Sequence, residues 1–291
     1  MLSYNSIDEL CKVAAESDKK ICEIVLADQA EQMEQTEDEL FNKMAENFKV
    51  MKDAVKAGKQ KDLRSASGLT GGDAYKMENY AQTGGICGNF VNMAIMKALA
   101  VSEYNASMGK IVASPTAGSC GILPATILSM VEAGKCDEKQ AIMSLFTAGA
   151  FGMVIAQNAS VAGAEGGCQA ECGSASAMAA AVLVELCGGS PIQSAHACAM
   201  AIKNELGLVC DPVAGLVEIP CIKRNVSGLM IAFSSAEMAL AGIESKIPAD
   251  ECITAMKQVG LSIPCSLRET SQGGLAVTPT GLKLKEQVFG K

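Results

Sequence analysis

The sequence contains no tryptophan, only 4% aromatic residues and a single histidine. It also has fewer basic than acidic residues, with 24 Lys and Arg and 32 Asp and Glu, which gives a net charge of -8. Proteins that bind nucleic acids neutralise phosphates with a clustered positive surface, and the scattered basic residues show no such cluster. We therefore expect no nucleic-acid partner.

The N-terminus lacks the pattern of an export signal. MLSYNSIDELCK carries acidic residues and a lysine where a signal peptide has an apolar stretch and a small-residue cleavage site. We therefore expect a cytoplasmic protein, in which most of the 13 cysteines are reduced thiols. The apolar run from Ala141 to Ala156 is short for a membrane span and meets polar residues at once. We predict a buried core helix there and no membrane partner.

Small and apolar residues are abundant and follow helical spacing. The chain is 49% hydrophobic and contains 28 Gly and 16 Met. We find neither the regular alternation of a half-buried sheet nor a βαβ rhythm. These patterns predict an all-α fold, in which buried helices rich in Ala, Gly and Met are enclosed by amphipathic helices.

A change of composition divides the chain near residue 64. The first part is charged and helical in pattern, and the capping-box spacing of Ser6 and Glu9 predicts a helix that begins near Ile7. The Gly-rich SASGLTGGDAYKM follows, and the chain after it is apolar. We predict an N-terminal helical segment over 1–64 that packs on a core over 65–291, within one continuous domain.

Several cysteines stand beside helix-breaking residues. Cys168 follows two glycines in EGGCQAEC, while Cys210 and Cys221 flank the turn-rich CDPVAGLVEIPC. A thiol at a helix break can point into a shared cavity, but these separations match neither structural zinc sites nor ferredoxins. Spacing alone therefore favours packing thiols over ligands. Cys120 and Cys265, which lie in other motifs, are expected to be packing thiols.

The longer strings EGGCQAE, NELGLVCDPV and PC-x-x-RN resemble the iron-sulfur-dependent L-serine dehydratases, in particular the α chain of the two-chain bacterial enzymes. SGLTGGDAYKM, SPTAGSCGILPA and LRETSQGGLAVTPTG extend the resemblance over well over half of the chain. The resemblance implies that Cys168, Cys210 and Cys221 hold a 4Fe-4S cluster on interhelical loops. It leaves Cys172 out, because the family commonly has an apolar residue at that place.

The resemblance also implies the reaction, which is the conversion of L-serine to pyruvate and ammonia. An iron without a thiolate ligand keeps an open position, where it can act as a Lewis acid toward the serine hydroxyl, which is a poor leaving group. The family's SSHT motif belongs to a separate β chain in two-chain enzymes and is not found here. We therefore expect the catalytic base to come from a β-chain partner. His196, midway along an apolar helix pattern, is expected to be a core residue.

Gly-rich turns before helices suit anions, and SPTAGSCG is such a turn. We expect it to bind the substrate carboxylate, with ordinary helix capping as the alternative. Arg224 can meet the same carboxylate or pair instead with Glu218 or Glu165. Glu165, Lys223 and Asn225 are further residues expected to line the site. The predicted substrate-binding residues are Ser114, Thr116, Gly118, Ser119, Asn158 and Arg224.

Two other functions remain open at this point. A non-catalytic iron-sulfur scaffold or sensor subunit would bind the cluster without turning over a substrate. A pyridoxal-phosphate dehydratase would need a Schiff-base lysine beside a Gly-rich phosphate cup. Lys76, near Gly71 and Gly72, is the candidate for such a lysine, although no convincing cup accompanies it.

Overall fold

The computed structural model describes residues 4–290, which fold into 13 α-helices, a π-helix and short 3-10 turns. The one sheet-like pairing in this part of the chain is an isolated parallel bridge between Cys210 and Arg268. The all-α prediction is therefore confirmed. The α-helices are α1 (Ile7–Ser17), α2 (Ile21–Gln32), α3 (Glu37–Gly58), α4 (Asp73–Ala81), α5 (Gly88–Ala106), α6 (Ile122–Glu132), α7 (Glu138–Asn158), α8 (Gly163–Gly166), α9 (Ser174–Leu186), α10 (Pro191–Glu205), α11 (Cys221–Leu240), α12 (Ala249–Ser262) and α13 (Pro279–Phe289).

Several helices begin at capping residues that are visible in the sequence. The Ser6 hydroxyl accepts a hydrogen bond from the N–H of Glu9 and starts α1 where the sequence predicts it. Thr36, Asp137 and Ser190 cap α3, α7 and α10 with full capping boxes. Each box satisfies backbone donors that the first helical turn leaves unpaired. These helix starts are thus set by local sequence.

The centre of the molecule consists of helices that are buried almost all round. Every residue of α9 from Ser174 to Glu185 is buried, and most of them are small. This helix packs on α6, α7, α10 and α11. A Cβ placed on Gly228 of α11 would lie 2.7 Å from the Ser176 hydroxyl oxygen of α9. Small residues therefore allow the close approach that holds the centre rigid.

Helix α7 contains the apolar run that the sequence assigns to the core. By length and composition it is the one helix within residues 4–290 that is able to cross a membrane, with a mean hydropathy of 1.4. However, 61% of its most apolar window is buried inside the structure. It packs against α2, α3 and α9. The prediction of a buried core helix over 141–156 is confirmed.

The first three helices pack along this centre. Helix α1 lies against α10, α2 against α7 and α3 against α5. The backbone N–H groups of Ile7 and Asp8 donate to the Asp250 carboxylate of α12 at 2.8 and 3.1 Å. These bonds tie the start of α1 to the C-terminal half of the chain. The division into 1–64 and 65–291 stays a prediction, and its ends, residues 1–3 and 291, lie outside the described residues.

Glu205, the last residue of α10, is a buried acid in this centre. Its side chain is 5% exposed, and its Oε1 accepts a hydrogen bond from the Ser176 hydroxyl at 2.5 Å. Burial raises the pKa of Glu205 from 4.5 to about 7, and the bond to Ser176 opposes this shift only in part. Between about pH 4.5 and pH 7, Glu205 therefore keeps its proton in the folded chain and releases it in the unfolded chain. The contribution of Glu205 to the free energy of unfolding is fully present below about pH 4.5 and is lost as the pH rises through about 7.

We predict that Glu205→Gln removes this pH dependence. In the wild type, Glu205 should lower the free energy of unfolding by up to about 3 kcal/mol between pH 5 and pH 8, since one pKa unit corresponds to about 1.4 kcal/mol. Urea unfolding at the two pH values measures the decline. Glu244→Gln changes an acid whose side chain is 63% exposed and should decline like the wild type. An equally steep decline in Glu205→Gln would contradict the prediction.

Candidate active site

The EGGCQAEC motif forms a break between α8 and α9. Gly167 follows α8 at a φ of +77°, a backbone conformation that glycine adopts at little cost. A π-helix over Gln169–Gly173 then leads into α9. Such π-turns are rare and are frequent at functional sites. The break places the buried Cys168 at the N-cap of the π-helix.

Cys210 lies on the loop between α10 and α11 and is held by the C-terminal segment. Its N–H donates to the Leu267 carbonyl at 2.9 Å, and its carbonyl accepts from the Glu269 N–H at 2.8 Å. The carboxylate of the next residue, Asp211, accepts from the Leu275 N–H at 2.8 Å. The LRETSQGGLAVTPTG motif is therefore packed on the cysteine loop, although the two are far apart in sequence.

Cys221 begins α11, and one turn later Asn225 ties this helix to the SPTAGSCG turn. The buried Asn225 amide donates to the carbonyls of Gly118 and Cys221 at 2.7 and 2.9 Å. Its Oδ1 accepts from the Gly121 N–H at 2.8 Å. A single side chain thus fixes the turn against the start of α11. The sequence predicts only that Asn225 lines the site, whereas in the structure Asn225 connects the SPTAGSCG turn to the start of α11.

The structure brings the three predicted ligands Cys168, Cys210 and Cys221 into one buried region. Their exposed fractions are 3%, 3% and 8%. Burial is the main cause that raises the pKa of Cys210 above its usual range and that of Cys221 to about 12, and the Glu171 carboxylate and the neighbouring thiols contribute to both rises. A Cβ on Gly163, five residues before Cys168, would lie 3.1 Å from Cys210 Sγ, so these two cysteine segments are packed against each other.

The three buried cysteines carry thiols, which are the donor type that iron-sulfur clusters take. Within residues 4–290, no three His, Cys, Asp or Glu side chains are close enough to hold one metal ion. In a cluster each thiolate binds a different iron, so the ligands stand farther apart than around one ion. Cys172 differs from the other thiols, because its Sγ lies only 3.5 Å from that of Cys168. That separation leaves no room for cluster atoms between these two sulfurs.

Glu171 lies between the SPTAGSCG turn and the cysteines. Its Oε1 accepts from the Thr116 hydroxyl at 2.8 Å, and its Oε2 lies 3.9 Å from Cys210 Sγ. Burial raises the pKa of Glu171, and the bond from Thr116 opposes the shift. A Cβ on Gly118 or Gly163 would come within 2.9 or 2.8 Å of its carboxylate oxygens. Glu171 was not selected from the sequence. The one feature that could have pointed to it is an acidic residue within a stretch of small and uncharged residues.

The SPTAGSCG turn contains one hydroxyl without a partner. Ser114 Oγ is buried and makes no hydrogen bond within residues 4–290. The hydroxyls of Thr116 and Ser119 lie 3.2 Å apart, and the Gly118 carbonyl is bonded to Asn225. A buried hydroxyl without a partner costs about 1–3 kcal/mol. Ser114 is therefore the residue of the turn with bonding capacity left for a ligand.

Arg224 has a different partner from those that the sequence suggests. Its guanidinium pairs with Asp211 at 2.9 Å rather than with Glu218 or Glu165. The pair is largely buried, and the Arg224 charge opposes the rise in the pKa of Cys221. Asp211 follows a cysteine directly in sequence, so this ion pair joins the second and third cysteine segments. Arg224 therefore lies beside the thiols, and its contact with a substrate stays a prediction.

Three other residues selected from the sequence lie away from this cluster of contacts. Asn158 is exposed at the end of α7, where its amide donates to a backbone carbonyl near the N-terminus at 2.8 Å. His196 is half-buried and accepts a bond from the Ser245 N–H at 3.3 Å, as expected of a satisfied core histidine. Lys76 is exposed and pairs with Asp73 at 2.8 Å. The predicted substrate contact of Asn158 stays a prediction.

The two cysteines expected to be packing thiols differ in outcome. Cys120 is fully buried, which confirms the prediction. Cys265 is exposed in a 3-10 turn after α12, so the prediction was wrong for this residue. The reason is that Cys265 follows directly on the end of a helix, and the segment after it turns toward Cys210 and leaves its thiol at the surface.

A cleft of about 490 Å³ opens beside the start of α11, where Pro220 and Lys223 line it but the three predicted cysteine ligands do not. The SGLTGG loop forms one wall, and its Ser67 and Thr70 hydroxyls donate to Glu218 at 3.0 and 2.9 Å. The wall carries three basic residues as well as the acidic Asp73 and Glu218, and Asp73 forms ion pairs with both of the lysines. A second cavity of about 530 Å³, between α2, α3 and α7, is lined by none of the predicted site residues. The basic residues of the first cleft are Arg64, Lys76 and Lys223.

The family of serine dehydratase alpha chains matches this chain over residues 16–276. The probable L-serine dehydratase, alpha chain, of Bacillus subtilis is 50% identical over 288 residues, which cover 99% of this chain and 96% of that relative. The L-serine dehydratase, alpha chain, of Peptoniphilus asaccharolyticus is 46% identical over 97% of both chains. The L-serine dehydratase of Streptomyces coelicolor is 37% identical over 94% of this chain and 61% of that relative.

Matches of this extent, together with a polar site enclosed by buried helices, define an enzyme subunit of the lyase class. The chain belongs to the serine dehydratase alpha chain family. The family resemblance seen in the motifs is thereby confirmed.

We predict that Asn225→Ala destabilises the chain by about 2–4 kcal/mol, because it leaves the Gly118 carbonyl and the Gly121 N–H buried without partners. Urea unfolding measures the change. Asn79→Ala is the matched control, since its amide donates only to a carbonyl of its own helix at an exposed position. The control should change stability by about 0.5 kcal/mol or less. Equal effects of the two substitutions would show that Asn225 does not join the two motifs.

Proposed function

We propose that the chain is the α subunit of an L-serine dehydratase, which converts L-serine to pyruvate and ammonia together with a separate β chain. The observation that carries the proposal is the convergence of three buried thiols beside a hydroxyl-rich turn in a member of this family. The names of the Bacillus subtilis and Peptoniphilus asaccharolyticus relatives support the substrate. We place the reaction in the cytoplasm, without a nucleic-acid or membrane partner.

The proposed cofactor is a 4Fe-4S cluster held by Cys168, Cys210 and Cys221. Cysteine thiolates are the usual ligands of such clusters, and these three thiols are buried and free of disulfides. The π-helix, the C-terminal segment and Asn225 position the three loops through contacts that need no metal. Bound in this way, the cluster would supply an open iron as a Lewis acid for departure of the substrate hydroxyl.

The SPTAGSCG turn is the proposed site for the substrate carboxylate. Its backbone N–H groups precede α6, where anions are favoured, and the Ser114 hydroxyl has no other partner within residues 4–290. Thr116 donates to Glu171 and so positions the turn relative to the cysteines. A substrate fixed at its carboxylate has few orientations left, which favours reaction at a defined hydroxyl.

Arg224 is proposed to act beside the thiols and the carboxylate. Its pairing with Asp211 holds the guanidinium in place, and its charge favours the thiolate form of Cys221, which iron binding requires. Its Nη2 pairs with Asp211 and its Nη1 donates to the Val209 carbonyl at 2.8 Å, so the remaining ones of its five N–H donors are proposed to meet the substrate carboxylate. Asn158 is proposed as a more distant member of the same site.

The catalytic base is proposed to come from the β chain, on an SSHT-type motif. His196 is the sequence's only histidine, and its Nδ1 is occupied by the Ser245 N–H. The words "alpha chain" in the names of the relatives imply a partner subunit. The alignment covers only 61% of the Streptomyces coelicolor L-serine dehydratase, and the remainder of that protein is the proposed counterpart of the β chain.

We predict that Cys168→Ala, Cys210→Ala and Cys221→Ala each abolish cluster binding after anaerobic reconstitution, because each removes a ligand. Cys172→Ala should retain the cluster. Iron and acid-labile sulfide per chain and the visible absorbance measure cluster content. Cys198→Ala, which removes a fully buried thiol of α10, is the matched control and should also retain it. A cluster in the Cys210→Ala variant would overturn the ligand assignment.

A second test measures pyruvate formation from L-serine. The anaerobically reconstituted chain is assayed alone and with its coexpressed β chain, and we expect turnover that depends on the β chain, because the base lies there. A cluster-loaded chain that forms no pyruvate in either mixture would contradict the enzyme assignment. It would instead favour the non-catalytic scaffold or sensor subunit.

A further inference from the structure

Two buried thiols face each other at the break between α8 and α9. The Sγ atoms of Cys168 and Cys172 are 3.5 Å apart, and the two residues are 3% and 1% exposed. They are four residues apart, with Cys168 at the N-cap of the π-helix Gln169–Gly173 and Cys172 inside it, so they face each other across one turn. The proposed cluster uses the first thiol and gives the second no role.

We propose that Cys168 and Cys172 form a reversible disulfide when the chain carries no cluster and meets a peroxide. A disulfide requires a sulfur–sulfur distance of about 2.05 Å, so the two sulfurs must approach by about 1.5 Å. Side-chain rotation within one turn can supply this movement. Cys210 lies on another loop, which hydrogen bonds to the C-terminal segment hold in place, and Cys221 is the first residue of α11.

The oxidation balances with one hydrogen peroxide for two thiols. The Cys168 sulfur attacks one peroxide oxygen, the O–O bond breaks, and the sulfur is oxidised by two electrons to a sulfenic acid while one water leaves. The Cys172 sulfur then attacks the sulfenic sulfur, and the S–O bond breaks as the S–S bond forms. The hydroxyl leaves with the thiol proton of Cys172 as a second water.

The disulfide keeps Cys168 in a recoverable state. A sulfenic acid without a neighbouring thiol reacts with more peroxide to a sulfinic acid, which ordinary thiols do not reduce. A disulfide returns both thiols when it is reduced. This protection of a cluster ligand rests on the proposed function, whereas the disulfide itself rests on the separation of the two sulfurs alone.

The position of Glu171 between the two cysteines allows a direct test. The cluster-free full chain is reduced anaerobically, freed of reductant, treated with one equivalent of hydrogen peroxide and alkylated with N-ethylmaleimide. Digestion after glutamate cleaves at Glu165, Glu171 and Glu185 and separates the two cysteines. The resulting peptides are 166–171 and 172–185, with one cysteine each. We expect mass spectrometry to find these peptides joined and to find them separate after dithiothreitol.

Variants test whether Cys172 is the resolving thiol. In Cys172→Ala treated with an excess of hydrogen peroxide, Cys168 should gain two or three oxygen atoms, because each added oxygen consumes one peroxide, whereas the wild type should form the disulfide under the same excess. Cys172→Val repeats the comparison with a side chain of similar volume. Cys198→Ala, the buried matched control, should form the linked peptides like the wild type. Linkage of Cys168 to Cys210 or Cys221 would overturn the proposal. Equal overoxidation of Cys168 in the wild type and in Cys172→Ala would overturn it as well.

A reloading experiment tests the protective role. After peroxide and then dithiothreitol, the wild type should regain as much iron and sulfide as the untreated chain, and Cys172→Ala should regain severalfold less. Equal recovery of the two chains would contradict protection by Cys172. Failure of the cluster proposal is recognised separately, because the untreated wild-type chain would then bind no cluster at all.

Discussion

The break between α8 and α9 lies inside the buried centre, and its polar groups must all find partners there. Gln169 meets this demand. Its buried side chain donates to the Met256 carbonyl at 2.8 Å and accepts from the Gly207 N–H at 2.8 Å, while its own N–H donates to the Leu208 carbonyl at 3.0 Å. These bonds anchor the π-helix to α12 and to the end of α10. Because the break is fixed in this way, Cys168 has a fixed direction.

The electrostatics of the site explain how its parts act together. Burial raises the pKa of Cys210, Cys221 and Glu171. The Glu171 carboxylate raises the pKa of both cysteines further, whereas the hydrogen bonds from Thr116 and Cys210 lower that of Glu171. Their charged forms are therefore unfavourable unless positive charge is present. Arg224 supplies part of it. A bound metal reverses such local pKa preferences, so thiols that burial keeps protonated would lose their protons on binding one.

The sequence predicts what depends on local pattern, and it misses what depends on distant contacts. The start of α1 and the burial of α7 follow from capping and apolar spacing, and both are confirmed. The central position of Glu171 depends on Thr116, 55 residues away, and the joint at Asn225 depends on bonds to a turn more than 100 residues away. No periodicity encodes these pairings. The exposure of Cys265 depends in the same way on the path of the following segment.

The direction of the Cys168 side chain and its closeness to Cys172 arise from one feature of the backbone. The π-helix Gln169–Gly173 turns Cys168 out of the helical register, and the same turn brings Cys172 to 3.5 Å from it. An apolar residue at position 172 would fill the same buried space without a second sulfur. Since the space is fully enclosed, the choice of side chain there has little effect on the outer surface. The thiol at this position therefore changes the chemistry of the neighbouring cysteine while leaving the fold that directs it unaltered.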